Sequence, residues 1–199
     1  MLNFGKNKAL TMRYLGDPCL HQKARKIELV TDEIRSLGKA MVEMMYKQEG
    51  VGLAAPQVGI SLRLVTIDVS GSKRSEFPQS PGERELMPLM PLILINPEIV
   101  SFSPVTEIGE EGCLSVPKLY APVERPVSVV LKARLMDGPE IQADCGGFLA
   151  RAIQHELDHL DGVVYVQRVK DPDYQELLPK LQKIYKKYGA RGYKVNRLV

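Results

Sequence analysis

The sequence predicts one domain that combines helices with a mostly antiparallel sheet, and three observations carry that prediction. The stretch Gln154-His155-Glu156-Leu157-Asp158-His159-Leu160-Asp161-Gly162 has helical periodicity, and its two imidazoles at i and i+4 share a face on which they can close on one ion. Short apolar or alternating segments at Leu62 to Val69, Leu92 to Ile95 and Val127 to Leu135 read as strands, and short connections between such strands favour antiparallel neighbours. Near the C-terminus Leu177, Leu178, Leu181, Ile184, Tyr185 and Tyr188 recur at helical spacing, which predicts a closing helix.

A chain of 199 residues, 44% hydrophobic and 26% charged, fits a single domain over 1–199 that buries about 70% of the surface its unfolded form exposes. No apolar run approaches the ~20 residues needed to cross a bilayer, so no membrane partner is expected. The first ten residues carry two lysines but no continuous hydrophobic region behind them; a secretory leader is not expected, and a cytoplasmic location is the default. Three cysteines, Cys19, Cys113 and Cys145, form an odd set without paired spacing, which argues for reduced thiols available as ligand or nucleophile. The net charge of +3 matters only where it is clustered.

Taken in order, Asp17-Pro18-Cys19-Leu20-His21 reads as a turn into irregular chain. Nothing near Cys19 or His21 has ligand spacing, so they read as a small buried thiol and a surface imidazole. Thr31 or Asp32 caps a helix whose stripe of Ile34, Leu37, Met41, Met44 and Met45 runs to Gln48, with Gly50 as its left-handed stop. The small residues of Gly50-Val51-Gly52-Leu53-Ala54-Ala55-Pro56-Gln57-Val58-Gly59 suit either a tight core turn or a wall that another chain approaches closely, with Gln57 as its one hydrogen-bonding side chain. The strand from Leu62 is followed by Ser70 to Pro91, rich in Gly, Ser, Pro and charge, which predicts a long exposed loop. A short strand Leu92 to Ile95 ends at Asn96-Pro97, and another ends before the turn Asp137-Gly138.

Between those strands lies Glu110-Glu111-Gly112-Cys113-Leu114-Ser115-Val116-Pro117. Alone, Cys113 reads as a small buried hydrophobe; beside a His-Glu-x-x-His helix with no visible third ligand, it reads as that ligand. The helix starts after Gly146-Gly147 and stops at Gly162, a strand Val163 to Val166 follows, and Pro179 fits the last helix only in its first turn. Two imidazoles and a thiolate leave a fourth position open on a tetrahedral ion, the arrangement of a hydrolytic site. Glu156, next to a ligand, is placed to shuttle a proton to a departing nitrogen, which points to amide or ester hydrolysis. Ligand chemistry alone favours zinc.

Three motifs in order, Gly50-Val51-Gly52-Leu53-Ala54-Ala55-Pro56-Gln57, Glu111-Gly112-Cys113-Leu114-Ser115 and Gln154-His155-Glu156-Leu157-Asp158-His159, with the pair Arg125-Pro126, resemble those of the peptide deformylases over most of residues 10 to 170. The resemblance implies an α+β fold in which antiparallel sheets embrace a central metal-bearing helix. It implies removal of the formyl group from the N-terminal formylmethionine of new polypeptides, with release of formate. Cys113, His155 and His159 would hold the metal, and Glu156 would act as general acid and base. The Gln57 side chain and the Leu114 backbone N–H would stabilise the oxyanion, and Val51, Gly52 and Gly112 would pair with the substrate backbone. In place of zinc the resemblance implies Fe2+ in the cell, with Ni2+, Co2+ or Zn2+ able to substitute. The 70–91 loop is the main departure from that pattern, and Arg151 carries no assigned role.

The tail of about 180–199 gathers Lys180, Lys183, Lys186, Lys187, Arg191, Lys194 and Arg197. Such a run reads plainly as a solvated helix face; functionally, it reads as a weak, salt-sensitive contact to ribosomal RNA. Two other readings of the site are distinguishable. A His-Glu-x-x-His metallopeptidase would take its third ligand downstream of the helix instead of Cys113, and a structural metal module would need a fourth protein ligand, for which Cys145 is the candidate.

Overall fold

The structure, a computed structural model, describes residues 10–75 and 80–189. Helix α1 spans Asp32–Lys47. Thr31 is its cap, the hydroxyl accepting from Ile34 N at 3.4 Å, and Ile34, Leu37, Met41 and Met45 bury its apolar stripe. The left-handed residue at its end is Glu49, at φ 56°, one position before the expected Gly50. Gly50 serves close approach instead, since a Cβ there would stand 2.8 Å from Leu114 Cδ1.

Strands β1 (Gly52–Ala54) and β2 (Leu64–Ile67) begin a five-stranded sheet. Helix α2 (Pro81–Leu86) comes next, and the strands continue as β3 (Leu92–Phe102), β4 (Thr106–Cys113), β5 (Val116–Pro126), β6 (Ser128–Leu135) and β7 (Glu140–Gly146). The large sheet has the order β1-β2-β3-β6-β7, and β4 pairs with β5 in a second sheet; every pairing is antiparallel. All four residues of β2 are buried, because it is an inner strand covered on both faces.

Two expectations about strands need correction. β3 continues past Asn96-Pro97, through a register shift between Ile95 and Glu98. There Asn96 takes φ 49°, and its side chain accepts from Ile27 N and donates to Ile27 O, both at 2.8 Å; a bulge is where a sheet tolerates proline. No strand forms at Val163 to Val166. The chain instead makes a 3-10 turn at Tyr165–Gln167, closed by the Gln167 side chain accepting from Val164 N at 2.8 Å.

The 70–91 segment is not simply an exposed loop. Ser80 and Glu83 cap α2 reciprocally, Glu83 N donating to Ser80 Oγ at 3.2 Å and Ser80 N to Glu83 Oε2 at 2.9 Å. Ser80 Oγ also accepts from Gly146 N at 2.8 Å, so the cap ties α2 to β7. Leu86 is fully buried.

Helix α3 (Gly147–Leu160) runs between the sheets. Leu149, Ile153, Leu157 and Leu160 join the core of the large sheet, and nearly every residue from Leu149 onward is buried. It stops as expected, with Gly162 at φ 78° and a Cβ there only 2.9 Å from the backbone of His21 and Gln22. Helix α4 (Asp173–Tyr188) starts earlier than Leu177, which moves Pro179 into the second turn. Its ring faces solvent while Tyr174, Leu177 and Leu181 are buried, so the packed face is intact.

Candidate metal centre

The helical repeat of α3 brings the His155 and His159 rings to 5.1 Å between centroids. Strand β4 approaches from the other side and ends in a register shift between Gly112 and Cys113, which turns the thiol toward them. Cys113 Sγ lies 3.2 Å from His159 Nε2. The donor atoms of Cys113, His155 and His159 all lie within 4.8 Å of one another, and no other such trio occurs among the described residues.

The surroundings fix which imidazole nitrogen is offered. His155 Nδ1 sits 2.9 Å from Glu111 Oε2, and Glu111 is gripped by Arg125 through Nε and Nη2, both at 2.8 Å. A carboxylate so held only accepts, so Nδ1 carries the hydrogen and Nε2 is left as the donor atom toward Cys113 and His159. Burial alone would raise the Glu111 carboxyl, but the Arg125 and His155 hydrogen bonds outweigh it and hold the group far below the usual carboxylate range. Arg125 continues to Asp158 at 2.6 Å, and Arg168 grips the same carboxylate. Arg151, left without a role by the sequence, donates to Glu111 Oε1 and to Val123 O, both at 2.9 Å. These supporting residues were legible in part, since Glu111 and Asp158 stand inside the motifs themselves; the three arginines give no local signal of their partners.

Glu156 lies under the edge strand β1, so close that a Cβ on Gly52 would fall 2.3 Å from Glu156 Oε1. Its Oε2 is buried without a hydrogen-bond partner among the described residues, and burial pushes its carboxyl up to about 7. His159 moves the opposite way, its imidazole lowered well below the ordinary value by burial and then by the neighbouring His155. Gln57, in a 3-10 turn at Ala55–Val58, accepts from Ala54 N at 2.8 Å through Oε1 and donates through Nε2 to Cys113 Sγ at 3.4 Å and Ser115 Oγ at 3.3 Å.

Eight of the nine residues expected from the sequence, Val51, Gly52, Gln57, Gly112, Cys113, Leu114, His155 and Glu156, line one cavity of about 570 Å³; the ninth, His159, lies behind it, 1% exposed. One thiol and two imidazoles at ligand spacing, beside an orphan carboxylate oxygen, fit a transition ion with an open position. Cys145 does not join them. It packs in the core of the large sheet, lies near Ala143 O at 3.6 Å, and burial pushes its thiol up to about 12, which removes it as a fourth ligand. Cys19 lies apart as well, half-buried with its thiol toward Pro56 O at 3.3 Å.

Comparison with known proteins gives one answer. The family model described as polypeptide deformylase matches residues 9–175. A peptide deformylase of a Picosynechococcus species is 44% identical over 162 residues, covering 81% of this chain and 80% of that one. A peptide deformylase 2 of Gloeobacter violaceus is 43% identical over 162 residues, with the same shares. Among solved structures, a plant peptide deformylase superimposes with TM-score 0.79 at 32% identity, covering 92% of this chain and 93% of that one. A Synechococcus elongatus peptide deformylase in complex with actinonin gives 0.74 at 35% identity, covering 98% and 94%.

Proposed function

The chain belongs to the polypeptide deformylase family, hydrolases that remove the formyl group from the N-terminal formylmethionine of nascent polypeptides, and from that premise we propose how its own residues do so. Cys113, His155 and His159 hold one divalent ion, iron in the cell, with nickel, cobalt or zinc able to replace it. When bound there, the ion supplies Lewis-acid activation of water and of the formyl carbonyl.

The observation that carries this reading is the orphan carboxyl of Glu156, buried beside the trio of donors and raised to about 7. A carboxyl so placed takes a proton from the attacking water and gives it to the departing amine nitrogen. As the carbonyl oxygen gains charge, Gln57 Nε2 and the Leu114 N–H donate to it, a stabilisation absent from the ground state. The edge strand β1 with Val51 and Gly52 on one wall, and Gly112 of β4 on the other, accept the substrate backbone as an added strand. Phe148 and Ala152, which line the cavity on the turns of α3 before His155, offer the apolar surface for the methionine side chain.

Anaerobically purified protein is expected to release formate from a formylmethionyl peptide. Failure of both the iron- and the nickel-loaded forms would sink the reading. Cys113→Ser separates it from a metallopeptidase that draws its third ligand downstream, because such an enzyme would keep both metal and turnover in that variant. A cytoplasmic setting and a contact between the basic tail and ribosomal RNA belong to the same proposal. Among the described residues, no helix is long and apolar enough to cross a membrane.

A further inference from the structure

Ser115 stands two residues after the candidate thiolate, 0% exposed, and the chemistry above makes no use of it. Its position is fixed by the backbone, since its carbonyl accepts from Leu15 N at 2.9 Å and its own N–H donates to Cys113 Sγ at 3.4 Å. The hydroxyl oxygen accepts from Gln57 Nε2 at 3.3 Å. Across the amide, Gln57 Oε1 accepts from Ala54 N at 2.8 Å. The amide cannot flip, because a flip would set its NH2 against the Ala54 N–H and its oxygen against the Cys113 sulfur. With one Nε2 hydrogen held by Ser115, the other is donated to Cys113 Sγ at 3.4 Å, in the wall of the cavity that Gln57 and Cys113 line. Without the hydroxyl, the one acceptor left to Nε2 among the described residues is the Cys113 sulfur, and a thiolate is a charged acceptor that draws a donor toward itself.

We propose that Ser115 is a positioning residue for deformylation: its hydroxyl holds the Gln57 amide against the pull of Cys113, so that Nε2 meets the developing oxyanion. The inference rests on the reading of Gln57 as an oxyanion donor, and a double-mutant cycle on the nickel-loaded enzyme tests the two separately. With a formylmethionyl tripeptide, Ser115→Ala is expected to lower kcat by about 3- to 10-fold, the worth of one hydrogen bond, with KM within about twofold of the parent and the pH profile unshifted. Gln57→Ala is expected to lower kcat by about 10²- to 10³-fold. The double variant is expected to match Gln57→Ala within about twofold, since Ser115 has nothing to position once the amide is gone. Losses that multiply in the double variant overturn the proposal, as does a Ser115→Ala enzyme with unchanged kcat. An unchanged kcat in Gln57→Ala overturns the donor reading itself, and the positioning role with it. Ser115→Gly, which also lacks the hydroxyl, repeats the cycle if the alanine variant is poorly folded, and metal content confirms that each protein compared is loaded.

Discussion

At Glu156 burial and solitude act together: the carboxyl is pushed up to about 7 and one oxygen has no partner, which places proton exchange near neutral pH, where general acid and base catalysis is most effective. Glu156→Gln is therefore expected to retain its metal but lose about 10²- to 10⁴-fold in turnover. Metal analysis alongside formate release checks this, and near-normal turnover would remove Glu156 from the proton path. Glu111 has the reverse environment. Burial raises its carboxyl, but bonds from Arg125 and His155 win and depress it below the ordinary 4.5. A depressed carboxyl contributes stability that is present above the unfolded pKa and lost as pH falls through the folded one. Glu111→Gln leaves two buried guanidiniums, Arg125 and Arg151, short of a charge, and a destabilisation of about 3 kcal/mol is expected at pH 7, the low end for breaking a buried pair. The gap between parent and variant should narrow below about pH 4.5; denaturant unfolding of both proteins at pH 7 and pH 4 would expose a gap that does not.

Elements differ in how plainly the sequence announces them, and the reason is which face each one buries. α3 is legible because its apolar residues repeat every three to four positions between Gly147 and Gly162, and the His155–His159 pair rides on that repeat. β4 is hard to read because half of its residues are exposed, Ile108 at 69% among them, and only Glu111 is buried, so no inward period marks it. The cap of α2 is written as Ser80-Pro81-Gly82-Glu83, a capping box concealed by the glycine, proline and charge around it. The fold of the 70–91 segment answers a question of function as well. Its 3-10 turn at Lys73–Ser75 sets the Arg74 guanidinium 4.1 Å from the centre of the Phe148 ring, and both residues line the cavity. Arg74→Ala removes part of that wall, and KM for a formylmethionyl peptide is expected to rise about 2- to 5-fold with metal content unchanged, in line with a cation–π contact near the surface. Steady-state kinetics showing an altered kcat at constant KM would contradict a wall role.

For the molecule as a whole, the residues that come together at the candidate site were legible because they stand in three short motifs, whereas the charge network beneath it depends on Arg125, Arg151 and Arg168 arriving from separate elements. The same limit applies to the basic tail, of which α4 holds Lys180, Lys183, Lys186 and Lys187, while Arg191, Lys194 and Arg197 lie outside the described residues. The four lysines are exposed, and no carboxylate pairs with them among the described residues. On the other face, Leu177 and Leu181 are buried, and Tyr188 stacks on Tyr14 at 4.3 Å. Cutting the tail at 180 would therefore strip packing from the body of the enzyme, and reversing the charges is the cleaner perturbation. Phosphate contacts made by such lysines would give weak binding that falls steeply with salt and ignores base sequence. Replacing all four lysines by glutamate is expected to abolish co-sedimentation with ribosomes at low salt, while hydrolysis of a short formylmethionyl peptide stays within about twofold, because no phosphate contact takes part in the chemistry. Ribosome binding unchanged in that variant would leave the tail as a solvated helix face, and binding lost together with peptide hydrolysis would mean that α4 supports the catalytic body directly.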